Sequence, residues 1–477
     1  MTLLIRDALV YDGSGAPGMR ADVAVEGDGI VAVGPDLDLP GAEIRDARGL
    51  ALAPGFIDVH THDDAVALEA DGLHPKLSQG VTTVVTGNCG ISLAPSPMAG
   101  REAPPPPLDL IGEAAAYRFP AFADFLDALR AFTPGCNVVP LVGHHVLRAR
   151  AMADLARPAT EAEVAAMRAD LAEALAAGAA GLSTGLAYPP AKHATTDEVA
   201  ALAADVAVAG RLWTTHMRDE RLGVVSSVAE TLDVARRSGV RTLISHHKCC
   251  GEAAFGLSTT TLAMIETARR TMPVDLDLYP YTASSTVLIE TFARDSRKVA
   301  VSWSDPHPEM AGRDLADICA EWGVGQAEAI ARLRPGGAIY HQMDDGDLER
   351  ILAYPPTLVG SDGLPRDKRP HPRLWGAFPR VLGHYARDRG LVPLETAIAK
   401  MTGQTARTLH LADRGRIAPG CKADLVLFDP EAIRDAATYD DSVRPAEGIA
   451  GVWVNGVLAW AGGRPSGAPR SGAVLAA

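Results

Sequence analysis

Short apolar runs alternate with alanine-rich amphipathic stretches over most of the chain. Between about residues 55 and 410, ATEAEVAAMRADLAEALAAG leads into AAGLSTGL, TTDEVAALAADVAVAG into RLWTTH, and GVVSSVAETLDVARRSG into RTLISH. Apolar positions spaced along one helix face, followed by a short continuous apolar run, predict a helix and then a buried strand. Thr160-x-x-Glu163 and Thr195-x-x-Glu198 carry the reciprocal capping pattern at the expected helix starts. Strands alternating with helices call for a parallel sheet with crossover helices. The number of candidate strands predicts an α/β fold of the (β/α)8, TIM-like barrel type rather than an open doubly wound sheet.

The pattern changes at both ends. LLIRDALVYDGSG, ADVAVEGDG and IVAVGPD read as short strands with turn punctuation, as do GRIAPGCKADLVLFDP and GIAGVWVNGVLAWAGG, where Asn455-Gly456 is a strong hairpin signal. These fragments predict one small discontinuous β-sandwich, residues 1–55 plus 412–477, closed around a barrel of residues 56–285 plus 345–411. From 286 to 344 the alternation lapses into charged, Pro-interrupted stretches that predict a helical insertion; on the catalytic rim it would serve as a lid.

With 477 residues the chain exceeds one ordinary core, and 47% apolar with 22% charged residues excludes wholesale disorder. A net charge of −14 repels phosphate backbones and anionic membrane surfaces, so no nucleic-acid or membrane partner is expected. MTLLIRDALV puts charges inside what would have to be an apolar signal core, and no stretch approaches the ~20 apolar residues of a membrane span. Six cysteines without CxxC spacing fit a reduced compartment, so the expected location is cytoplasmic. The oligomeric state is left open.

Metal-ligand residue types end the apolar runs: GFIDVH60-T-H62, VTTVVTGNC89, LWTTH216, TLISH246 and TLVGSD362. In a parallel barrel these strand ends converge on one rim, so His60, His62, Cys89, His216, His246 and Asp362 become neighbours. His60 and His62, two residues apart on extended chain, point to the same side. A thiolate beside imidazoles favours Zn²⁺ over harder cations. Zinc would acidify a water molecule toward a pKa of ~7, and Asp362 could ligate the metal or pass the proton to a leaving nitrogen. The other cysteines, including Cys249 and Cys250, read as structural, as do His144 and His145.

PGFIDVHTHDD, SQGVTTVVTGNCGIS, GLSTGLAYPP, SHHKC, YPYTASST, GSDG and HPRLWGAFPRVLG, spread over residues 50 to 410, resemble the D-aminoacylase (N-acyl-D-amino-acid deacylase) branch of the amidohydrolase superfamily. The resemblance implies Cys89, His216 and His246 as ligands of one tight zinc, with His60 and His62 forming or completing a weaker second site. It implies Asp362 as the acid/base, Arg373 and Tyr279 as holders of the free carboxylate, and Lys248 and Tyr188 as pocket lining. The substrate implied is a small N-acyl-D-amino acid, cleaved at its linear amide; the D preference comes from the resemblance alone. His145 stands where that family usually has a small residue. The nearest alternative, a cyclic-amide hydrolase of the dihydroorotase or hydantoinase kind, would bridge two metals with a carboxylated lysine; Lys192 is the one lysine near the expected rim, and Cys89 argues against that chemistry. A catalytically dead scaffold would lack ligands that are present here.

Overall fold

The computed structural model describes residues 2–98 and 100–475. Both ends of the chain enter one nine-stranded sheet. Thr2–Val10 pairs antiparallel with Met19–Glu26 and parallel with Glu43–Asp46 and Ala51–Pro54. Ala51–Pro54 then pairs antiparallel with Leu425–Phe428, the ladder that joins the two ends of the sequence. Leu3, Ile5, Val23, Leu52, Leu425 and Trp453 share one buried cluster beneath this sheet. Ile449–Val454 and Val457–Ala461 form the expected hairpin, with Asn455 at φ 47° and Gly456 at φ 78°. Both angles are positive, as a two-residue turn matched to the strand twist requires.

The middle of the chain forms parallel strands in sequence order. Phe56–Asp58, Val81–Thr86 and Asn137–Pro140 make one ladder; Val142–Gly143, Gly181–Gly185, Leu212–His216, Arg241–Ile244, Val274–Leu278 and Thr357–Val359 make the next. Only Leu141 separates the two ladders. At the far edge Gly360 N donates to Leu278 O at 3.0 Å and Asp362 N to His60 O at 2.8 Å, so the last strand reaches the first. Ile57, Val85, Val139, Leu212, Leu243 and Leu358 share a buried cluster with Leu409 and Leu411, which gives these strands a common apolar interior.

Helices Glu161–Ala177, Thr196–Val208 and Val224–Ser238 fall where the periodicity predicts them. Thr160 and Glu163 form the full reciprocal cap. At Thr195 only half of it forms: Glu198 N donates to Thr195 Oγ1, while the Glu198 carboxylate turns inward to His144 and Arg148. A buried guanidinium fixes that carboxylate more strongly than one backbone amide could.

The insertion is not purely helical, which corrects the expectation for 286–344. Ala283–Val287, Gly336–His341 and Lys298–Ser304 form a three-stranded antiparallel sheet, with the short helices Glu290–Arg294, Leu315–Trp322 and Gln326–Leu333 beside it. Val299, Val301, Ala338 and Tyr340 face those helices in a small core of their own, so strands that read as polar from their flanks are held by side chains supplied nearby. Among the described residues no helix is long and apolar enough to cross a membrane.

Candidate metal centre

The strand ends bring the predicted ligands together. His216 closes Leu212–His216, His246 follows Arg241–Ile244 by two residues, Cys89 follows Val81–Thr86 by three, and Asp362 follows Thr357–Val359 by three. Within each of two groups, His60, His62, Cys89 and Asp362, and Cys89, His216 and His246, the ligand atoms lie within 4.8 Å of one another. Cys89 belongs to both. Its Sγ lies 3.2 Å from His60 Nε2 and 3.3 Å from His246 Nε2, and Asp362 Oδ1 lies 3.1 Å from His62 Nε2.

Backbone conformation at three of these residues is unusual. Cys89, His246 and Asp362 have φ of 55°, 34° and 50°. Such angles cost a non-glycine residue on the order of 1–3 kcal/mol and persist only where neighbours over-determine them. Here they do: His246 N donates to Asp277 Oδ1 at 2.8 Å, and Asp362 N is tied to the His60 carbonyl. Gly185 packs so close to Cys89 that any Cβ there would collide with the Cys89 carbonyl oxygen.

The electrostatics are those of a cation site. Burial opposes ionisation of Cys89, yet the His60 and His246 rings beside it hold its thiol well below the ordinary range. Cys249 and Cys250 lack such neighbours, and burial pushes both thiols up, Cys250 to about 12. Burial disfavours protonated His62, but Asp362 and Cys89 outweigh it and lift the ring to about 9. A field that stabilises a protonated imidazole equally favours a metal ion in its place. Among the described residues, both ring nitrogens of buried His216, and Nδ1 of His60 and His62, have no hydrogen-bond partner. Orphaned imidazole nitrogens around a thiolate are the donor set that zinc takes.

Several residues that orient this set were not singled out from the sequence. Glu220 Oε1 lies 3.0 Å from His246 Nδ1 and accepts from Lys248 Nζ at 2.7 Å. Lys248 Nζ lies 2.7 Å from His246 Nδ1 as well, so the ammonium bridges the carboxylate and the ring, whose Nε2 faces Cys89. Glu220 follows His216 by four residues without a helix between them, so that spacing gave no signal. Asp277 Oδ1 stands 3.5 Å from His60 Nδ1 as an electrostatic neighbour rather than a hydrogen-bond partner. Lys76, fully buried, donates to Asp58 Oδ2 at 2.9 Å and Ser361 Oγ at 2.6 Å, and Asp58 in turn accepts from Ser361 N at 2.8 Å, which stitches the first strand end to the last.

Of the predicted pocket residues, Tyr188, Lys248 and Tyr279 border one small cavity of about 20 Å³ together with His62, His216, His246 and Asp362, and Arg373 stands outside that lining. Arg373 Nη1 pairs with Asp362 Oδ2 at 2.8 Å and Nη2 donates to Ser285 O at 3.0 Å, while its guanidinium lies 4.4 Å from the Tyr279 ring centre. Burial works against ionised Asp362, yet Arg373, His246 and His60 keep its carboxyl well below the usual range. Tyr188 packs edge-on against His216 at 4.9 Å and shares a 2.9 Å hydrogen bond with Thr286. Lys248 departs from a purely lining position, since its ammonium is engaged by Glu220, His246 Nδ1 and the His246 carbonyl. His145 donates from Nε2 to Gly185 O at 2.8 Å and His144 meets Glu198, so both lie outside the ligand groups. Lys192 is exposed and borders a different cleft.

Comparison with known proteins gives a consistent result. The profile of the Amidohydrolase family matches residues 43–459. The chain is 52% identical over 460 residues to a D-aminoacylase of Alcaligenes xylosoxydans xylosoxydans, covering 96% of this chain and 94% of that protein. It superposes on a crystal structure of D-aminoacylase with a TM-score of 0.96 at 49% identity, covering 99% of each chain. It also superposes on N-acyl-D-glutamate deacylase from Bordetella bronchiseptica, complexed with zinc and a phosphonate mimic of the tetrahedral intermediate, with a TM-score of 0.95 at 46% identity and coverage of 100% and 99%. With its fold, its strand-end ligands and these likenesses in agreement, the chain belongs to the amidohydrolase family, in its D-aminoacylase branch.

Proposed function

We propose that the chain is a zinc-dependent N-acyl-D-amino-acid deacylase, hydrolysing the linear amide to a carboxylate and a free D-amino acid. The observation that carries this reading is Cys89, shared by two ligand groups beside a cavity bordered by His62, His216, His246 and Asp362, with Arg373 paired to that Asp362. Cys89, His216 and His246 would hold the tight zinc, and His60 and His62, with Asp362, the weaker site. Zinc bound there supplies Lewis-acid polarisation of the amide carbonyl and acidifies the attacking water. Asp362 takes the water's proton and delivers it to the nitrogen as the C–N bond breaks and the new C–O bond forms. The Nε–H of Arg373 and the hydroxyl of Tyr279 are buried without partners, and these spare donors suit the substrate α-carboxylate. Tyr188 and Lys248 line the cavity, and Lys248 also steadies Glu220 against His246. The D preference rests on the relatives.

The same reading treats the parallel strands as a closed (β/α)8 barrel, residues 56–285 plus 345–411, with a β-sandwich of residues 1–55 plus 412–477. Residues 286–344 form an inserted unit over the strand ends and act as its lid. Six free cysteines, four of them buried, support a cytoplasmic setting. The cyclic-amide alternative is disfavoured by a thiolate at the shared position and by the exposed place of Lys192. A screen of zinc-loaded protein against N-acetyl-D-amino acids, their L enantiomers and hydantoins, read as release of free amine, tests the assignment. Turnover confined to hydantoins would reverse it.

A further inference from the structure

The catalytic cavity does not end at its own walls. A second cleft of about 870 Å³ adjoins it, bounded by the proline-rich loop at 105–106, the segment around Leu155, the turn at 187–193 and the insertion at 287–292. Phe292 lines both spaces, and the walls are continuous in sequence: Leu110, Tyr188 and Thr286 border the catalytic cavity, while Asp109, Ala187 and Val287 border the outer cleft.

Strand Ala283–Val287 gives the direction. The Ser285 carbonyl receives Arg373, the Thr286 hydroxyl meets Tyr188 beside His216, and Val287 and Leu288 face the outer cleft. At about 3.3 Å per residue, the strand runs within about 10 Å from the carboxylate-holding end, past the ligand groups, to the cleft. A substrate seated with its carboxylate at Arg373 and its amide at the ligand groups therefore points its acyl group outward. The lining it meets includes an apolar stretch, Pro106, Leu155, Val287, Leu288, Ile289 and Phe292, interspersed with charged Arg101, Asp109, Asp154, Lys192 and Arg334. A space of this size is far more than an acetyl methyl group needs, and apolar lining rewards an apolar chain.

We propose that the outer cleft is an acyl-chain subsite and that the chain acts on D-amino acids carrying an extended apolar acyl group. The inference rests on the deacylase reading and adds the class of its acyl donor. Phe292, stacked under the Arg221 guanidinium at 3.9 Å, forms the threshold between the two spaces.

The test compares N-acetyl, N-butanoyl and N-octanoyl derivatives of one D-amino acid, that best accepted in its N-acetyl form, on the zinc-loaded enzyme. Burying each added methylene is expected to raise kcat/KM up to about fourfold over the first few carbons, mainly through KM. The octanoyl derivative should exceed the acetyl one at least about tenfold. Ile289→Asp and Leu155→Glu, on opposite walls, should each lower the octanoyl-to-acetyl ratio about tenfold or more. The ratio is measured within one protein, so partial misfolding does not imitate the effect, and if neither variant folds the wild-type series decides alone. A flat or falling series, or a ratio unchanged in both variants, overturns the subsite while leaving the deacylase reading intact. Resistance of every N-acyl derivative, octanoyl included, to hydrolysis would remove that reading and the inference with it.

Discussion

Arg373→Ala separates two tasks that the geometry gives to one side chain. Arg373 is completely buried, pairs with Asp362 at 2.8 Å and keeps its Nε–H free. Losing a charge-assisted pair with a desolvated substrate carboxylate costs about 2–5 kcal/mol, or roughly 30- to 5,000-fold in kcat/KM. Asp362 loses its partner in the same variant, and that second effect falls on every substrate alike. The informative quantity is therefore the ratio of kcat/KM for an N-acetyl-D-amino acid to that for its carboxamide, which lacks the negative charge. This ratio should collapse by the full factor, whereas the carboxamide, already poor with the unaltered protein, should suffer only the loss transmitted through Asp362. Arg373→Lys should restore part of the ratio, since an ammonium returns the charge without the planar fork. An equal loss for both substrates would show that Arg373 serves Asp362 alone and does not read the carboxylate.

Four further outcomes follow from the same contacts. Cys89→Ala should lose most bound zinc by elemental analysis while His62→Ala keeps the tight ion, because only Cys89 sits in both ligand groups; unchanged content in the cysteine variant contradicts the assignment. Asp362→Asn should retain zinc and fold but lose about 10²–10⁴-fold in kcat, and near-normal turnover would move the proton shuttle elsewhere. Lys76→Met leaves buried Asp58 and Asp63 unpaired and should destabilise the chain by about 3–5 kcal/mol, read as a lowered denaturant midpoint. Hydrogen bonds from His144 and Arg148 outweigh burial and hold the Glu198 carboxyl at about 2 against an ordinary 4.5, so its contribution, at most about 3 kcal/mol, is present above pH 4.5 and disappears as the pH falls toward 2. The Tm gap between the unaltered protein and Glu198→Gln should shrink across that window, and a constant gap would refute the assignment.

The ligands were legible because each ends an apolar run, and parallel strands bring such ends to one rim whatever lies between them. Their supports were not. Asp277 sits inside V-D-L-D-L, which has the alternation of a half-exposed strand, and only the packed structure shows its carboxylate turned toward His60 and His246. Lys76, following His-Pro, reads as a surface lysine until two buried aspartates close on it. Glu220 stands four residues after His216, but no helix runs between them, so the usual four-residue spacing on a helix face does not explain their approach. The strands of the insertion escaped for a related reason: Lys298–Ser304 is short, flanked by charges, and buried by helices that follow it in sequence.

That division between visible ligands and hidden supports has a physical origin in the backbone. Cys89, His246 and Asp362 all occupy left-handed conformations that their own residue types disfavour. No local propensity selects such angles, so the surroundings must impose them, through Asp277 at the His246 amide, the His60 carbonyl at the Asp362 amide, and the packing of Gly185 on Cys89. Each restraint links one strand end to another, and Lys76 with Asp58 ties the first strand end to the last. The restraints consequently act on the same backbone positions that carry the donor atoms. A site built this way fails through its restraints as readily as through its ligands, which is why charge pairs that touch neither metal nor substrate, such as Lys76 with Asp58, belong to the chemistry of the centre as well as to its stability.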